Sequence, residues 1–142
     1  MRAFSFPLQS ILTYREYVRS QAETELAAAL LAERGIHDKL DEIAQHYISV
    51  KQETAGSADF ATISAAQQFY ALLDSQKEDL LQQLAEAQLV TEQKRAALRE
   101  AIKHTQSLEK LRERQQAEWE QLELAQESDA LDEINTQRRF HR

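Results

Sequence analysis

Residues Thr54–Asp59, with the sequence TAGSAD, separate two long stretches that are dense in Ala, Leu, Glu, Gln, Lys and Arg. Gly56 stands where a C′ glycine closes a helix, and Ser57 and Asp59 follow as candidate N-caps of a second helix. The only other Gly or Pro residues in the 142-residue chain are Pro7 and Gly35. A helix interior disfavours Pro by about 3 kcal/mol and Gly by about 1 kcal/mol. The pattern therefore predicts two long helices joined by a tight turn at 56–59.

Upstream of the turn, a mostly apolar stripe recurs in alternating steps of four and three residues. It contains Leu8, Leu12, Arg15, Arg19, Ala22, Leu26, Ala29, Glu33, Ile36, Leu40, Ile43, Tyr47, Val50 and Thr54. An average step of 3.5 residues is typical of a coiled-coil seam. Because Pro7 is tolerated in a first turn, helix one is predicted over about residues 7–55. Gly35 leaves an alternative open, a broken helix and a three-helix bundle, although the stripe passes through it in phase.

A second stripe follows the turn. It contains Ile63, Ala66, Tyr70, Leu73, Lys77, Leu80, Leu84, Ala87, Thr91, Lys94, Leu98, Ala101, Thr105 and Leu108, and resumes at Trp119 and Leu122. Helix two is predicted over about residues 60–136. A short linker makes helices antiparallel, so residues 8–55 are expected to pair with about 58–105. The expected fold is a single all-α domain over residues 1–142, an antiparallel coiled-coil hairpin whose second helix is longer and projects.

The stretch from Gln106 to Arg142 has no expected partner within the chain except the short strip before Leu8. Its apolar residues include Leu111, Leu122, Leu124, Leu131 and Ile134, and such a surface is expected to bind another protein. For Trp119, the only Trp of the chain, a structural role within the chain is hard to supply, and a partner pocket is favoured. Basic residues cluster locally, in Arg112–Arg114 and Arg138–Arg142.

Composition and motifs exclude several classes of function. The net charge is −7 and Cys is absent, which disfavours non-specific nucleic-acid binding and removes disulfides, thiolate catalysis and Cys-ligated zinc. The longest apolar run is too short to span a bilayer, and the N-terminus is unlike a secretory signal, so we expect a cytoplasmic protein. His37 with Asp41 and Glu42 with His46 share helix faces, but di-iron bundles require a larger ligand set. No catalytic, cofactor or metal site is predicted, and an enzyme is not expected.

Aromatic residues flank the predicted turn. Tyr47, Tyr70 and Leu73 are interpreted first as large side chains of the seam. Phe69 stands one residue off the stripe and is expected to be partly exposed, with Leu72 beside it, which makes Phe69 a candidate interface anchor.

These residues, in this order and spacing, resemble the FliJ family of the bacterial flagellar type III export apparatus, with YscO-type secretion proteins as distant analogues. The resemblance rests on the opening Phe4-x-Phe6-x-Leu8-x-x-Ile11-Leu12 with Tyr14-Arg15, on Tyr47, on Gln67-Gln68-Phe69-Tyr70 with Leu73, and on Leu131-Asp132-Glu133-Ile134 with Arg138-Arg139. It spans nearly the whole chain.

The resemblance implies a non-enzymatic, stalk-like coiled coil similar to the γ subunit of rotary ATP synthases. The implied partners are the hexameric export ATPase FliI, the export gate protein FlhA, a FliH-like regulator and export chaperones, at the inner face of the membrane. The gate-contacting residues would be Tyr47, Phe69, Leu72 and Leu73. The residues expected to contact the ATPase are Arg112, Arg114, Trp119, Leu122, Leu131, Asp132, Glu133, Arg138 and Arg139. Two other readings are a prefoldin-like holdase, which needs strands at the bend, and a structural coiled coil that homodimerises.

Overall fold

The computed structural model describes residues 2–140, which form two helices, α1 (Gln9–Thr54) and α2 (Phe60–Phe140). Helix α1 has 46 residues and α2 has 81, and the described residues contain no strand. The predicted all-α antiparallel hairpin with a longer second helix is confirmed. Of the predicted C-terminal basic cluster, His141 and Arg142 lie outside the described residues.

Helix α1 begins two residues later than predicted because the chain turns at Pro7. The Gln9 N–H donates to the Phe6 carbonyl at 3.1 Å, and the Leu12 N–H donates to the Leu8 carbonyl at 2.9 Å. Pro7 and Leu8 form this turn, and residues 2–6 before it are not helical. Pro7 therefore lies two residues before Gln9, the first helical residue.

The bend between the helices, residues 55–59, is built as the sequence predicts. Gly56 has φ of +78°, a left-handed conformation that costs a residue with a Cβ about 1–2 kcal/mol. Asp59 caps α2, because its carboxylate accepts from the Ala61 N–H at 3.2 Å and from the Thr62 hydroxyl at 3.0 Å. The Ser57 N–H instead donates to the Thr54 carbonyl at 3.1 Å.

Gly35 does not interrupt α1, which is continuous from Gln9 to Thr54. The alternative of a three-helix bundle is therefore wrong. The seam stripe passes through Gly35 without a change of phase, so packing on both sides of it keeps the backbone helical although glycine disfavours a helix.

The chain divides into two compact units. The inner unit is Gln21–Leu98, which contains the bend. There the ring of Tyr47 lies 4.9 Å from that of Tyr70, and the Lys94 ammonium lies 3.1 Å from the Glu25 carboxylate. Residue numbers fall along α1 as they rise along α2, which is the antiparallel arrangement.

The seam of the inner unit follows the predicted stripe closely. Each predicted α1 position from Ala22 to Thr54 is at least half-buried, and Ala66, Leu73 and Thr91 of α2 are buried. The prediction is wrong at Ile63, which is 44% exposed, and at Lys77, which is exposed. Ile63 lies in the first turn of α2, opposite the end of α1, where fewer residues are available to cover it. The long Lys77 side chain can keep its ammonium in water.

The terminal unit combines the residues up to Ser20 with those from Arg99 onward. Its buried side chains are Phe6, Leu12, Ala101 and Thr105. The Phe4 ring lies 6.0 Å from the Trp119 ring at an angle of 54°. The non-helical strip before α1 therefore continues the pairing along α2 well beyond Thr105.

This strip corrects the predicted start of the unpaired part of α2. The half-buried residues of α2 beyond Thr105 include Leu108, Leu111, Gln115, Trp119 and Glu123. Each residue from Leu124 to Phe140 is exposed. The unpaired stretch thus begins after Glu123 rather than at Gln106. A non-helical chain can rise by up to about 3.3 Å per residue against 1.5 Å in a helix, so a short strip can reach along a longer stretch of α2.

Candidate partner-binding surfaces

Tyr47 is held between two side chains of α2. Its ring stacks on that of Tyr70 at an interplanar angle of 13°, and its hydroxyl donates to the Asp74 carboxylate. This hydrogen bond to Asp74 raises the pKa of Tyr47 above its ordinary value, with smaller contributions from desolvation and from the Asp74 charge. Tyr47 therefore acts first as a packing residue of the seam, as the sequence indicates.

The predicted gate-contacting residues divide by exposure. Leu73 is 2% exposed and Leu72 is 53% exposed. Phe69 is half-buried, as expected from its place beside the stripe, and it lines an open cavity of about 470 Å³. Phe69 and Leu72 are thus accessible to a partner, whereas Leu73 is not, because its side chain fills the seam.

The cavity that Phe69 lines lies next to the bend. Its other lining residues, from both helices, are Val50, Thr54, Ala61, Thr62, Ala65 and Ala66. The sequence reasoning missed this cavity, although Ala65 and Ala66, four and three residues before Phe69 and thus on the same side of the helix, were a signal. Small residues beside a large one leave a concave surface.

A second concave surface of the inner unit was also missed. A cavity of about 490 Å³ is lined by Leu40, Ile43, Ala44, Tyr47, Ile48, Asp74, Lys77 and Leu81. Ile48 is 49% exposed and Leu81 is 45% exposed. Both are large apolar residues off the stripe, which was the available signal.

The predicted ATPase-contacting residues all lie on α2 of the terminal unit. All of them except Trp119 are exposed, namely Arg112, Arg114, Leu122, Leu131, Asp132, Glu133, Arg138 and Arg139. Trp119 is half-buried and meets Phe4. The expectation that Trp119 has no structural role within the chain is therefore wrong, because the N-terminal strip reaches it.

Charge is distributed unevenly along α2. The acidic segment, Gln115–Gln137, contains seven acidic residues and no Lys or Arg. The other 17 acidic residues balance the 17 Lys and Arg of the chain, so this segment carries the whole formal charge of −7. The sequence interpretation emphasised the arginines on either side of the segment and missed it, although counting charges was enough to find it.

Two further features of the described residues concern membranes and metal ions. No helix among residues 2–140 is long and apolar enough to cross a membrane. Within the same residues, no group of three or more His, Cys, Asp or Glu is placed to hold a metal ion.

Comparison with known proteins identifies the family. The family model described as flagellar FliJ protein matches residues 4–142. No curated protein and no solved structure matches the chain. The matched region includes both helices, the bend and the N-terminal strip, and the chain therefore belongs to the FliJ family of coiled-coil proteins of flagellar export.

Proposed function

We propose that the chain is a non-enzymatic stalk of the flagellar export apparatus that links the export ATPase to the export gate. The observation that carries this proposal is the family match over residues 4–142, together with a second helix that outlasts its partner by the stretch Leu124–Phe140. In this role the chain promotes assembly of the ATPase hexamer and couples it to the gate.

The ATPase contact is assigned to the end of α2 beyond the N-terminal strip. Leu122, Leu124 and Leu131 are each more than 60% exposed, and Phe140 is 85% exposed. Large exposed apolar side chains on an unpaired helix favour burial against a partner. Arg138 and Arg139 add charges to this stretch, and Arg112 and Arg114 precede it as exposed charges on the same helix. Such charges act on association rate and specificity.

The gate contact is assigned to the surface around Phe69 and Leu72. Aromatic anchors in partly formed cavities dominate many interfaces, and Phe69 has that setting. Leu73 and Tyr47 contribute indirectly, since they hold the two helices together beneath this surface.

The proposed function also covers the location of the chain and its other partners. We place the chain in the cytoplasm, peripherally associated with the inner face of the membrane at the flagellar base. There it would also meet a FliH-like regulator and escort export chaperones. The acidic balance of the chain supports protein partners rather than nucleic acid or anionic lipid.

The two rival functions make different demands. A prefoldin-like holdase needs strands at the bend, and residues 55–59 form none. A structural homodimer needs self-association, which sedimentation equilibrium of the purified protein measures directly. We expect a monomer, and a stable dimer at micromolar concentration would favour the structural role.

A truncation after Glu123 tests the proposed ATPase contact. It removes residues that are exposed throughout the described range, so circular dichroism should show an unchanged melting transition of the paired part. We expect the truncated chain to lose stimulation of the ATPase and binding to its hexamer. A truncated chain that stimulates the hexamer like the intact one would place the contact on the paired region instead.

Phe69→Ala and Tyr70→Ala form a matched pair for the gate contact. Both remove an aromatic ring, from neighbouring positions that differ in their packing. We expect Phe69→Ala to weaken binding to the cytoplasmic part of the gate protein by about 2 kcal/mol, with little change in melting temperature. Tyr70→Ala, which removes the ring stacked on Tyr47, should lower the melting temperature. Equal melting losses with unchanged gate affinity would contradict the assignment.

A further inference from the structure

After Trp119, the apolar residues of α2 lie on a different face of the helix from the seam that pairs with α1. Within the terminal unit, Ala101, Thr105 and Leu108 of the pairing seam are covered. Continued in steps of three and four, the same stripe reaches Trp119 and then Leu122, Gln126, Asp129 and Glu133, which are exposed. After Leu122 that stripe is polar, so the original seam does not continue.

A second stripe with heptad spacing begins as the first ends. We call it the outer stripe, and it contains Glu120, Leu124, Glu127, Leu131 and Ile134, in alternating steps of four and three. Leu124 is 65% exposed, Leu131 is 62% exposed and Ile134 is 47% exposed. A 3.5-residue repeat is the pattern by which one helix packs along another. The outer stripe therefore has the form of half a coiled-coil seam.

The polar members of the outer stripe are both acidic. In a seam, a charged side chain among apolar ones selects the partner that supplies the opposite charge. A second copy of this chain fits poorly, because parallel pairing would place Glu120 against Glu120 and Glu127 against Glu127. The seven uncompensated acidic residues of the surrounding segment would add to this repulsion.

A cavity at the start of the outer stripe has matching chemistry. Its volume is about 260 Å³, and it is lined by Trp119, Glu120, Glu123, Leu124 and Glu127. Trp119 and Leu124 provide apolar and aromatic surface, and three carboxylates surround them. The long apolar stem and cationic head of an arginine or lysine match this combination, because an indole ring attracts cations and carboxylates pair with them.

We infer that the outer stripe binds a basic amphipathic helix of another protein, with an arginine or lysine seated in the cavity beside Trp119. The inference rests on one part of the proposed function, that the unpaired end of α2 binds another protein. It adds the chemical nature of the segment that binds there. The partner helix has apolar residues opposite Leu124, Leu131 and Ile134 and basic residues opposite Glu120 and Glu127.

The test uses the full-length chain and two fluorescent synthetic helices of about three heptads. One peptide has Leu at its seam positions and Arg opposite Glu120 and Glu127, and the second has Glu in place of both Arg residues. Fluorescence anisotropy should show binding of the Arg peptide that weakens as salt is raised, since exposed charges are screened. The Glu peptide should bind at least about tenfold more weakly, which corresponds to about 1.4 kcal/mol. Equal binding of the two peptides would overturn the inference.

A matched pair of triple variants locates the site. Glu120→Gln, Glu123→Gln and Glu127→Gln together should weaken Arg-peptide binding about tenfold or more. The control variant combines Glu53→Gln, Glu78→Gln and Glu86→Gln, which remove the same number of charges from exposed positions of the inner unit. It should bind the Arg peptide as the wild type does. Similar losses in both variants would mean that net charge alone attracts the peptide, and the inference would fail.

Two parallel measurements separate this inference from its rivals. A wild-type dimer in sedimentation equilibrium that the first triple variant strengthens would show that a second copy covers the outer stripe, contrary to the inference. Binding of the ATPase hexamer by the same variant addresses the proposed function. Unchanged hexamer binding with lost peptide binding would show that the ATPase contact does not use these three carboxylates, and it would support a separate partner for the inferred surface.

Discussion

Two threonines lie in the seam at positions where a coiled coil usually has apolar residues. Thr91 is 3% exposed and Thr105 is 1% exposed. Each hydroxyl is satisfied within its own helix, since Thr91 donates to the Ala87 carbonyl at 3.0 Å and Thr105 donates to the Ala101 carbonyl at 2.9 Å. The Arg15 carbonyl of α1 lies 3.4 Å from the Thr105 hydroxyl, a longer contact across the pair. Burial of these polar groups therefore leaves no unpaired hydroxyl.

Thr105→Val tests this account. Valine has nearly the same shape, and the Ala101 carbonyl retains its helical partner, so the free energy of unfolding should change by less than about 1 kcal/mol. Thr105→Asn places a larger polar group in the same buried space and should cost more. Urea denaturation measures both values, and a large loss for the valine variant would show that the contact with Arg15 holds the helices together.

The Tyr47 and Asp74 pair predicts a titration. The folded pKa of Tyr47 is raised above its ordinary value of 10.0 because its hydroxyl donates to Asp74. The stability from this bond is present below pH 10.0 and is lost as the pH rises through the folded pKa. Absorbance titration of the wild type minus Tyr47→Phe should isolate this late-titrating tyrosine. Asp74→Ala should lower its pKa, and an unchanged curve would contradict the hydrogen bond.

The two glycines have opposite roles in the helices. Gly35 is exposed inside α1, and a Cβ placed on it would have nothing within 4 Å. Gly56 also has open space around it, but its φ of +78° disfavours any side chain. Replacement of glycine by alanine should therefore change the free energy of unfolding in opposite directions at the two positions.

Gly35→Ala should raise the free energy of unfolding by about 1 kcal/mol, because alanine restricts the unfolded chain and favours the helix. Gly56→Ala should lower it by about 1–2 kcal/mol, from strain in the left-handed conformation. Thermal and urea unfolding of the two variants beside the wild type check the signs. A destabilising Gly35→Ala would indicate a helix geometry at residue 35 that the continuous α1 does not have.

The N-terminal strip extends the pairing of α2 without being a helix. Phe6 is 6% exposed, and Phe4 meets Trp119, the only Trp of the chain. Phe6→Ala should cost about 3 kcal/mol as a large-to-small change at a buried site. Phe4→Ala should expose Trp119 and shift its fluorescence to longer wavelength with a smaller loss of stability. An unchanged emission maximum in Phe4→Ala would mean that the strip leaves Trp119 in solution.

The heptad stripes and breakers of the sequence were enough to predict both helices, the bend at Gly56 and nearly all seam positions, and they left Ser57 and Asp59 as two candidate caps. These features depend on local propensity and on a repeat that few other folds share. The aromatic strip was harder to place. Phe4 and Phe6 precede the helix, and no periodicity indicates what a short non-helical segment packs against.

The candidate surfaces depended on the register between the helices. Sequence spacing placed Phe69 beside the seam and Leu73 within it, but the cavities next to them form only where side chains of α1 and α2 leave space together. The charge of the acidic segment was present in the sequence alone. Which of its residues are unpaired was decided by the length of α2 that the N-terminal strip covers.

Local helix propensity, the 3.5-residue repeat and one left-handed glycine thus determined an antiparallel helical hairpin by themselves, because each acts over a few neighbouring residues. Only the tertiary structure decided that Trp119 is partnered by Phe4 and that each residue from Leu124 to Phe140 is exposed. The physical reason is that burial depends on contacts between residues far apart in sequence, and these require the register and the path of the strip.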